Sequence, residues 1–234
     1  GADSLYLLFH LQQAGQPVIA AILDHQLRPE SSREVAFVQE ICVTYGVPCV
    51  AGKADVAALA QTRRCSIEEA ARIARYEFLF GVARRHHAAA VATAHHADDQ
   101  VETVLMHFLR GSGLEGLTGM RPRTILPQWD PEEKIPLIRP ILNVSRTEIE
   151  SWCRETRLTP VEDQSNQDTQ FFRNRLRHKL IPLLEAEYSP QIRRHIQTLA
   201  QTAHEDMQII HEVIDAAWQQ CHIPDDRIPD AILQ

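Results

Sequence analysis

Three ionisable residues stand at helical spacing after a short apolar run. His95, Asp99 and Glu102 occupy positions i, i+4 and i+7, so a helix beginning near His95 would place all three on one face. Residues 88–94 before them are small and β-branched, as in a buried strand. Because ligands bind at the carboxyl edge of parallel sheets, this cluster could hold a cationic substrate, bind a divalent metal or transfer protons. The alternative is a solvated helix N-terminus whose carboxylates meet the helix dipole.

Strands and helices alternate around this cluster and must position it. Apolar runs predict strands, and amphipathic spacing predicts helices. The predicted strands are 17–24, 47–50, 88–94 and 137–142. The predicted helices are 3–14, 31–45, 55–62, 66–87, the segment after His96, 146–157 and a long run that ends at Trp218. Ser66 and Glu69 fit a capping box at one helix start. The alternation predicts a parallel sheet covered on both faces by helices.

The composition is that of a globular protein. The chain has 234 residues, of which 44% are hydrophobic, and this suggests one large domain or one and a half. It has neither an apolar stretch that could cross a membrane nor a signal-peptide pattern. Its five cysteines are scattered without C-x-x-C spacing. They favour reduced thiols in the cytoplasm over a disulfide framework or a zinc ribbon.

Charge is distributed unevenly along the chain. The net charge of -7 argues mildly against nucleic-acid binding by the chain as a whole. Basic residues are nevertheless concentrated between positions 171 and 195, and such a patch can serve phosphates inside an acidic protein. They are Arg173, Arg175, Arg177, Lys179, Arg193 and Arg194. A solvated helix face is the alternative interpretation.

Two other sites are weighed against this cluster. Residues 111–116 match G-x-G-x-x-G, but they follow a predicted helix, whereas the dinucleotide motif follows a strand. The sequence therefore disfavours a nicotinamide or flavin site. A centre of two cations, as in metal-dependent phosphoesterases, could instead be assembled from Asp24, His25, His95, His96, Asp98 and Asp99. That possibility stays open on the residues alone.

Several segments, in order, resemble the tRNA(Ile)-lysidine synthase family of PP-loop ATP pyrophosphatases. From Thr93 to Gly116 the chain follows the family signature ATAHHxDDQxETxLxxxxRGSGxxGL almost without a break. Residues 68–76 match its EAxAREARY helix, with Ile73 where Glu is common. Residues 1–4 look like the end of its SGGxDS loop, and residues 24–28 are similar to its DHxLR segment. Arg139-Pro140, Asp163-x-x-Asn166 and Arg173-Asn174-x-x-Arg177 then follow in the family's order.

The resemblance implies an α/β fold. It predicts a parallel-sheet PP-loop nucleotide-binding domain of the adenine nucleotide alpha hydrolase-like class over residues 1–188. The first strand and the leading Ser-Gly of the loop are missing from the sequence, so we expect an N-terminally truncated domain. Residues 189–234 are predicted to form a linker helix and the start of a helical C-terminal domain.

The resemblance also implies a reaction. The family adenylates the C2 oxygen of the wobble cytidine in tRNA(Ile) with a CAU anticodon, and free L-lysine then displaces AMP. The product, lysidine, changes codon reading from AUG to AUA. PP-loop thiolases, by contrast, carry sulfur on paired cysteines that are commonly spaced C-x-x-C, and this chain lacks that spacing. Expected cofactors are ATP and Mg²⁺, no membrane is involved, and a homodimer is one state that the sequence allows.

Roles for individual residues follow from the same resemblance. Gly1, Ala2, Asp3 and Ser4 are expected to bind ATP phosphates, with Asp3 also holding Mg²⁺. Asp99 and Glu102 are expected to bind the lysine substrate, His95 to assist activation or proton removal, and Arg75 to stabilise phosphates or the adenylated intermediate. The expected contacts to the tRNA backbone are Arg110, Arg173 and Arg177.

Overall fold

The structure, a computed structural model, describes residues 1–27, 31–156, 158 and 172–220. These residues form two compact units. One contains the described parts of Gly1–Asp99 and Arg121–Asn166, and the other contains those of Gln100–Met120 and Gln167–Gln234. The predicted domain boundary at residue 188 does not coincide with this division and stays a prediction.

The strands lie in the first unit and include the predicted parallel pairs. They are β1 (Ala20–Asp24), β2 (Cys49–Lys53), β3 (Val91–Ala92), β4 (Arg123–Ile125) and β5 (Pro136–Ile138). Strands β1 and β2 are parallel, and so are β3 and β5, whereas β4 runs antiparallel to β5. Strand β4 was not predicted because a three-residue segment beginning with arginine gives neither an apolar run nor a clear alternation.

Several predicted strand bounds were wrong. Strand β1 begins at Ala20 rather than at residue 17, and β3 covers only Val91–Ala92 of the predicted residues 88–94. Strand β5 ends at Ile138 rather than at residue 142, because Pro140 has no N–H to continue a ladder and the chain turns, with the Leu142 N–H donating to the Arg139 carbonyl. Strand β2 is displaced towards the C-terminus, since its pairing with β1 continues to Lys53 opposite Asp24.

Helices connect these strands and make up the second unit. In chain order they are α1 (Ala2–Gln13), α2 (Ser31–Thr44), α3 (Val56–Arg63), α4 (Ile67–Arg85), α5 (Ala97–Leu109), α6 (Leu114–Leu117), α7 (Arg146–Glu155), α8 (Phe172–Arg175), α9 (Ile181–Glu187) and α10 (Ile192–Gln220), with a π-helical turn at Leu176–Leu180. The predicted N-cap of α4 is confirmed, because the Ser66 hydroxyl accepts the Glu69 N–H at 3.2 Å. The reciprocal bond from the Glu69 side chain, which would complete the predicted capping box, is not among the hydrogen bonds described for this helix. Helix α5 crosses the division between the units after its first turn.

Buried apolar residues fix these elements within each unit. In the first unit, Phe80 of α4 and Leu137 of β5 are fully buried in one cluster with Val91. A second cluster joins Ala2 of α1 to Ile149 of α7 and so holds the two helix starts together. In the second unit, Val101 and Val104 of α5 pack with residues of α9 and α10. Among the described residues, none of the helices combines the length and apolar character that crossing a membrane requires.

Candidate active site

The buried imidazole of His96 lies at the centre of a polar cluster in the first unit. Its Nε2 atom is 3.4 Å from Asp99 Oδ2 and 3.9 Å from Asp3 Oδ1. Its Nδ1 atom accepts the backbone N–H of Asp98 at 3.3 Å. The His96 side chain is 5% exposed, so these contacts are shielded from water. His96 therefore connects the first turn of α1 with the first turn of α5.

Arg146 completes the cluster from the start of α7. Its Nη1 donates to Asp3 Oδ1 at 2.6 Å, and its backbone N–H donates to Asp98 Oδ2 at 2.8 Å. A capping box formed by Ser145 and Glu148 fixes the start of α7 and thus the place of Arg146. Three helix N-termini, with their positive dipole ends, converge on this group of carboxylates.

Opposing effects act on the protonation of His96. Burial lowers the pKa of His96, but the carboxylate of the Asp98 side chain, as a hydrogen-bond acceptor for the protonated ring, and the charges of Asp99 and Asp3 outweigh it and raise the pKa above its ordinary value. Charge on the imidazole is favoured because three carboxylates surround it. The cluster therefore brings alternating charges together at one edge of the unit.

The predicted residues His95 and Asp99 are both held by local contacts. The Asp99 Oδ2 atom accepts the backbone N–H of His96 at 3.0 Å, and its side chain is 14% exposed. His95 Nδ1 lies 2.9 Å from Thr93 Oγ1, and the Thr93 N–H donates to the Ile138 carbonyl at the end of β5. The carboxyl edge of the parallel pair β3–β5 thus positions His95. The spacing had predicted His95 on one helix face with Asp99 and Glu102, but α5 begins at Ala97, so His95 lies before the helix.

The predicted loop residues form the start of α1. Gly1 precedes the helix as its N-cap, and Ala2 is buried against α7. Asp3 is half-buried, whereas Ser4 is exposed. The first turn of a helix has backbone N–H groups without intrahelical partners, and these suit an anion. A Cβ built on Gly1 would meet nothing within 4 Å, so there is open space beside this helix start.

Glu102 has a different environment from Asp99, although both lie on α5. Its residue is fully buried in the second unit. Glu102 Oε2 accepts Arg173 Nε–H at 2.6 Å and Arg177 Nη2–H at 3.0 Å, and Oε1 accepts Arg177 Nε–H at 2.5 Å. The structure therefore brings together Glu102, Arg173 and Arg177, which the sequence had assigned to two different ligands.

The remaining predicted arginines occupy separate places. Arg75 is exposed on α4, and its charge acts on His25 at the end of β1, where burial is the larger cause of a lowered His25 pKa. Arg110 lies over the Phe172 ring with a 5.6 Å separation from the ring centroid. Parts of two predicted motifs lie outside the described residues. They are Arg28 of the segment at residues 24–28 and the turn at positions 163–166.

Sequence reasoning missed two members of the cluster. His96 was considered only as a candidate metal ligand and was given no role in the predicted reaction, although Asp98 and Asp99 follow it by two and three residues, a spacing that indicates a shared polar site. Arg146 gave no local signal, because 143 positions separate it from Asp3. Among the residues described, no group of three or more His, Cys, Asp or Glu side chains is arranged to hold a metal ion.

Comparison with known proteins agrees with the resemblance seen in the sequence. The PP-loop domain family, ATP_bind_3, matches residues 1–184. The chain is 41% identical over 218 residues to a tRNA(Ile)-lysidine synthase of Geobacillus kaustophilus, covering 91% of this chain and 46% of that protein. It is 38% identical over 221 residues to the synthase of Dehalococcoides mccartyi, with the same coverage of 91% and 46%. The chain spans about half the length of the curated relatives that it matches.

A solved structure shares the fold. The U34-tRNA thiolase NcsA from Methanococcus maripaludis, solved with its [4Fe-4S] cluster, aligns with a TM-score of 0.69 at 15% identity. The alignment covers 88% of this chain and 70% of the thiolase. These comparisons give no support to a metal-dependent phosphoesterase. Since the family match extends over residues 1–184 and the fold agrees, the chain belongs to the ATP_bind_3 family of PP-loop domains.

Proposed function

We propose that this chain is the catalytic part of a tRNA(Ile)-lysidine synthase, which uses ATP to attach lysine to C2 of the wobble cytidine in CAU-anticodon tRNA(Ile). One observation carries the proposal beyond the similarity to named relatives. Asp3 at the start of α1 and Asp99 at the start of α5 contact the same His96 imidazole. A phosphate site and an amine site must be neighbours in this reaction, because the amine displaces AMP from the carbon that ATP has activated.

The first step needs a site for the phosphates of ATP. The C2 oxygen of cytidine attacks the α-phosphorus, and the bond to pyrophosphate breaks. The N–H groups at the start of α1 and the Ser4 hydroxyl are suited to hold the departing pyrophosphate. Arg75 is exposed on α4 and supplies a guanidinium for the phosphates or the adenylated intermediate.

A Mg²⁺ ion carried by the phosphates of ATP would fit this site. Magnesium is commonly held by one or two carboxylates together with substrate phosphates. Asp3 provides such a carboxylate in the first turn of α1, although Arg146 contacts one of its oxygens. When bound, the ion would neutralise phosphate charge. We therefore propose Asp3 as its protein ligand.

The second step needs a neutral amine. Lysine Nζ attacks C2, the C2–O bond breaks, and AMP leaves with the oxygen. The lysine ammonium has an ordinary pKa of about 10.4, so it must lose a proton before it attacks. Asp99 orients the ammonium through its negative charge, and His95, fixed by Thr93, is positioned to accept the proton. Glu102, also on α5, is the second proposed lysine ligand.

Transfer of labelled lysine tests the proposal directly. The full-length protein is incubated with ATP, Mg²⁺, radiolabelled lysine and a tRNA(Ile) transcript with a CAU anticodon. We expect label in the tRNA that requires ATP and is lost when the wobble cytidine is replaced. Label without ATP, or label that survives replacement of that cytidine, would contradict the proposal.

Two variants distinguish a specific loss of lysine binding from a general loss of folded protein. Asp99→Asn should raise the KM for lysine about 10- to 100-fold, since a hydrogen bond between charged groups contributes roughly 1.5–3 kcal/mol. Asp206→Asn is a matched control, because Asp206 is exposed on α10, and it should leave the KM unchanged. Light scattering on the same preparations measures the oligomeric state, for which a homodimer is one of the states that the sequence allows.

A further inference from the structure

Helix α7 begins with an arginine, which is an unfavourable residue at that end of a helix. Arg146 is the first residue of α7 and follows the N-cap Ser145. The N-terminus of a helix carries partial positive charge, so it repels a guanidinium and attracts anions. A cation fixed at this end therefore needs negative charge close to it.

Two carboxylates contact the Arg146 guanidinium, and they differ in how firmly they hold it. The Nε atom donates to Glu150 Oε1 at 2.8 Å, within α7. The Glu150 side chain is 55% exposed, and ion pairs in water stabilise a fold only slightly. The Nη1 atom donates to Asp3 Oδ1 at 2.6 Å, and the Asp3 side chain is 30% exposed. The contact with Asp3 is therefore the one that fixes where the guanidinium lies.

This contact places the guanidinium at the start of α1, where the phosphates of ATP are proposed to bind. Asp3 lies in the first turn of α1, beside backbone N–H groups that suit an anion. Ala2 of α1 and Ile149 of α7 share a buried cluster, which holds the two helix starts together. A Cβ built on Gly1 would meet nothing within 4 Å, so a ligand has room beside this residue.

Exposure distinguishes Arg146 from the other basic side chain of this cluster. The carboxylates of Asp3, Asp98 and Asp99 would repel a triphosphate unless positive charge reaches the phosphate oxygens. The His96 imidazole is 5% exposed, so it neutralises the carboxylates from within the cluster. The Arg146 side chain is 41% exposed, so a ligand can reach it from solvent. Its planar guanidinium presents several N–H donors that match two phosphate oxygens at once.

We propose that Arg146 binds the pyrophosphate moiety of ATP, which leaves in the first step. The inference rests on the proposed function, which supplies ATP and assigns these phosphates to the start of α1. Negative charge grows on the pyrophosphate as its bond to the α-phosphorus breaks, and an aligned guanidinium stabilises that charge. Asp3 holds Arg146 through Oδ1, so its two oxygens can serve the guanidinium and Mg²⁺ separately.

The variant Arg146→Gln tests this inference by binding alone. The full-length protein is mixed with radiolabelled ATP, pyrophosphate or AMP, without tRNA or lysine, and each Kd is measured by equilibrium dialysis. We expect the Kd values for ATP and pyrophosphate to rise about 10- to 100-fold, since a hydrogen bond between charged groups commonly contributes this much. The Kd for AMP, which lacks the leaving phosphates, should stay unchanged. Arg154→Gln is the matched control, because Arg154 is exposed on the same helix, and it should leave all three Kd values unchanged.

Several results would overturn the inference. An unchanged Kd for pyrophosphate would make Arg146 only a counter-ion of Asp3, and so would a lower Kd, because Asp3 would then be released for Mg²⁺. A Kd that rises for AMP as much as for pyrophosphate would contradict the assignment to the leaving phosphates. Dialysis in EDTA separates direct contact from an effect through the ion. We expect the loss to persist in EDTA, and a loss confined to buffer with Mg²⁺ would mean that Arg146 acts only through Asp3.

The variant Arg146→Lys covers the case in which Arg146→Gln does not fold. Lysine keeps the positive charge beside Asp3 but lacks the planar set of donors. It should raise the Kd for pyrophosphate several-fold at the thermal midpoint of the wild type, and an unchanged Kd would overturn the inference. Because these Kd values are measured without turnover, failure of lysine transfer by the wild type would count against the proposed function alone.

Discussion

Asp130 offers a stringent test of how the loop before β5 is held. Its side chain is 1% exposed, Oδ2 accepts the Ile135 N–H at 2.7 Å, and Oδ1 accepts Arg84 Nη1–H at 3.0 Å. Ile135 leads directly into β5, which pairs with β3 and so positions the chain before His95. A change at Asp130 should therefore affect the frame of the site without touching its charged cluster.

The cost of Asp130→Ala can be worked from these two contacts. An unsatisfied buried Ile135 N–H costs about 1–3 kcal/mol, and the lost bond to a charged arginine costs about 1.5–3 kcal/mol. Arg84 is partly exposed, so its share lies towards the lower end. The sum is about 3–5 kcal/mol, which for a chain of this size lowers the thermal midpoint by about 6–20 °C. Asp130→Asn retains an oxygen for Ile135 and should cost only about 1–2 kcal/mol.

Asp55→Ala is the matched control, because the same type of bond is exposed there. Asp55 caps α3 by accepting the Ala58 N–H at 2.9 Å, and loss of such a cap typically costs about 1 kcal/mol. Urea and thermal unfolding followed by circular dichroism would compare the three variants with the wild type. If Asp130→Ala lost no more stability than Asp55→Ala, the argument from burial would be refuted.

Three further predictions concern acid sensitivity, thiol reactivity and a tight turn. Burial lowers the pKa of His25, so the neutral imidazole contributes stability that is present above about pH 6.5 and is lost as the pH falls through the folded-state pKa. His25→Gln should therefore reduce the slope of the urea midpoint against pH between about pH 5 and pH 7. An unchanged slope would contradict this. Burial raises the pKa of Cys42 to about 11, so iodoacetamide at about pH 8 should label Cys42 only after unfolding. Labelling of Cys42 in the native protein, detected by mass spectrometry, would disprove this prediction. Gly119 has φ +64°, and a Cβ there would lie 2.7 Å from the Gln100 amide, so Gly119→Ala should cost about 2–4 kcal/mol. Gly15→Ala, with φ +67° but open space around it, should cost only about 1–2 kcal/mol, and equal losses in urea unfolding would show that the contact is unimportant.

Local patterns in the sequence were sufficient to predict most of the helices and the chemistry that the motifs could perform. The spacing of His95, Asp99 and Glu102 predicted a helix, and α5 contains the two carboxylates. The Ser66 cap follows from the residue types at a helix start, and the ordered motifs pointed to the family that the comparisons show. These features depend on residues within about one helical turn of each other or on a fixed order along the chain, and both can be read without a structure.

Contacts between distant residues were decided by tertiary packing. Arg146 meets Asp3 across 143 positions, and Arg177 meets Glu102 across 75. The family resemblance assigned Asp99 and Glu102 to the same ligand, but their surroundings differ: Asp99 accepts the backbone N–H of His96, and Glu102 accepts hydrogen bonds from two arginines. Helical periodicity states which side chains lie on one face of a helix. Which partner covers that face depends on how elements far apart in the chain pack, and this determines whether a carboxylate faces a ligand or a neighbouring guanidinium.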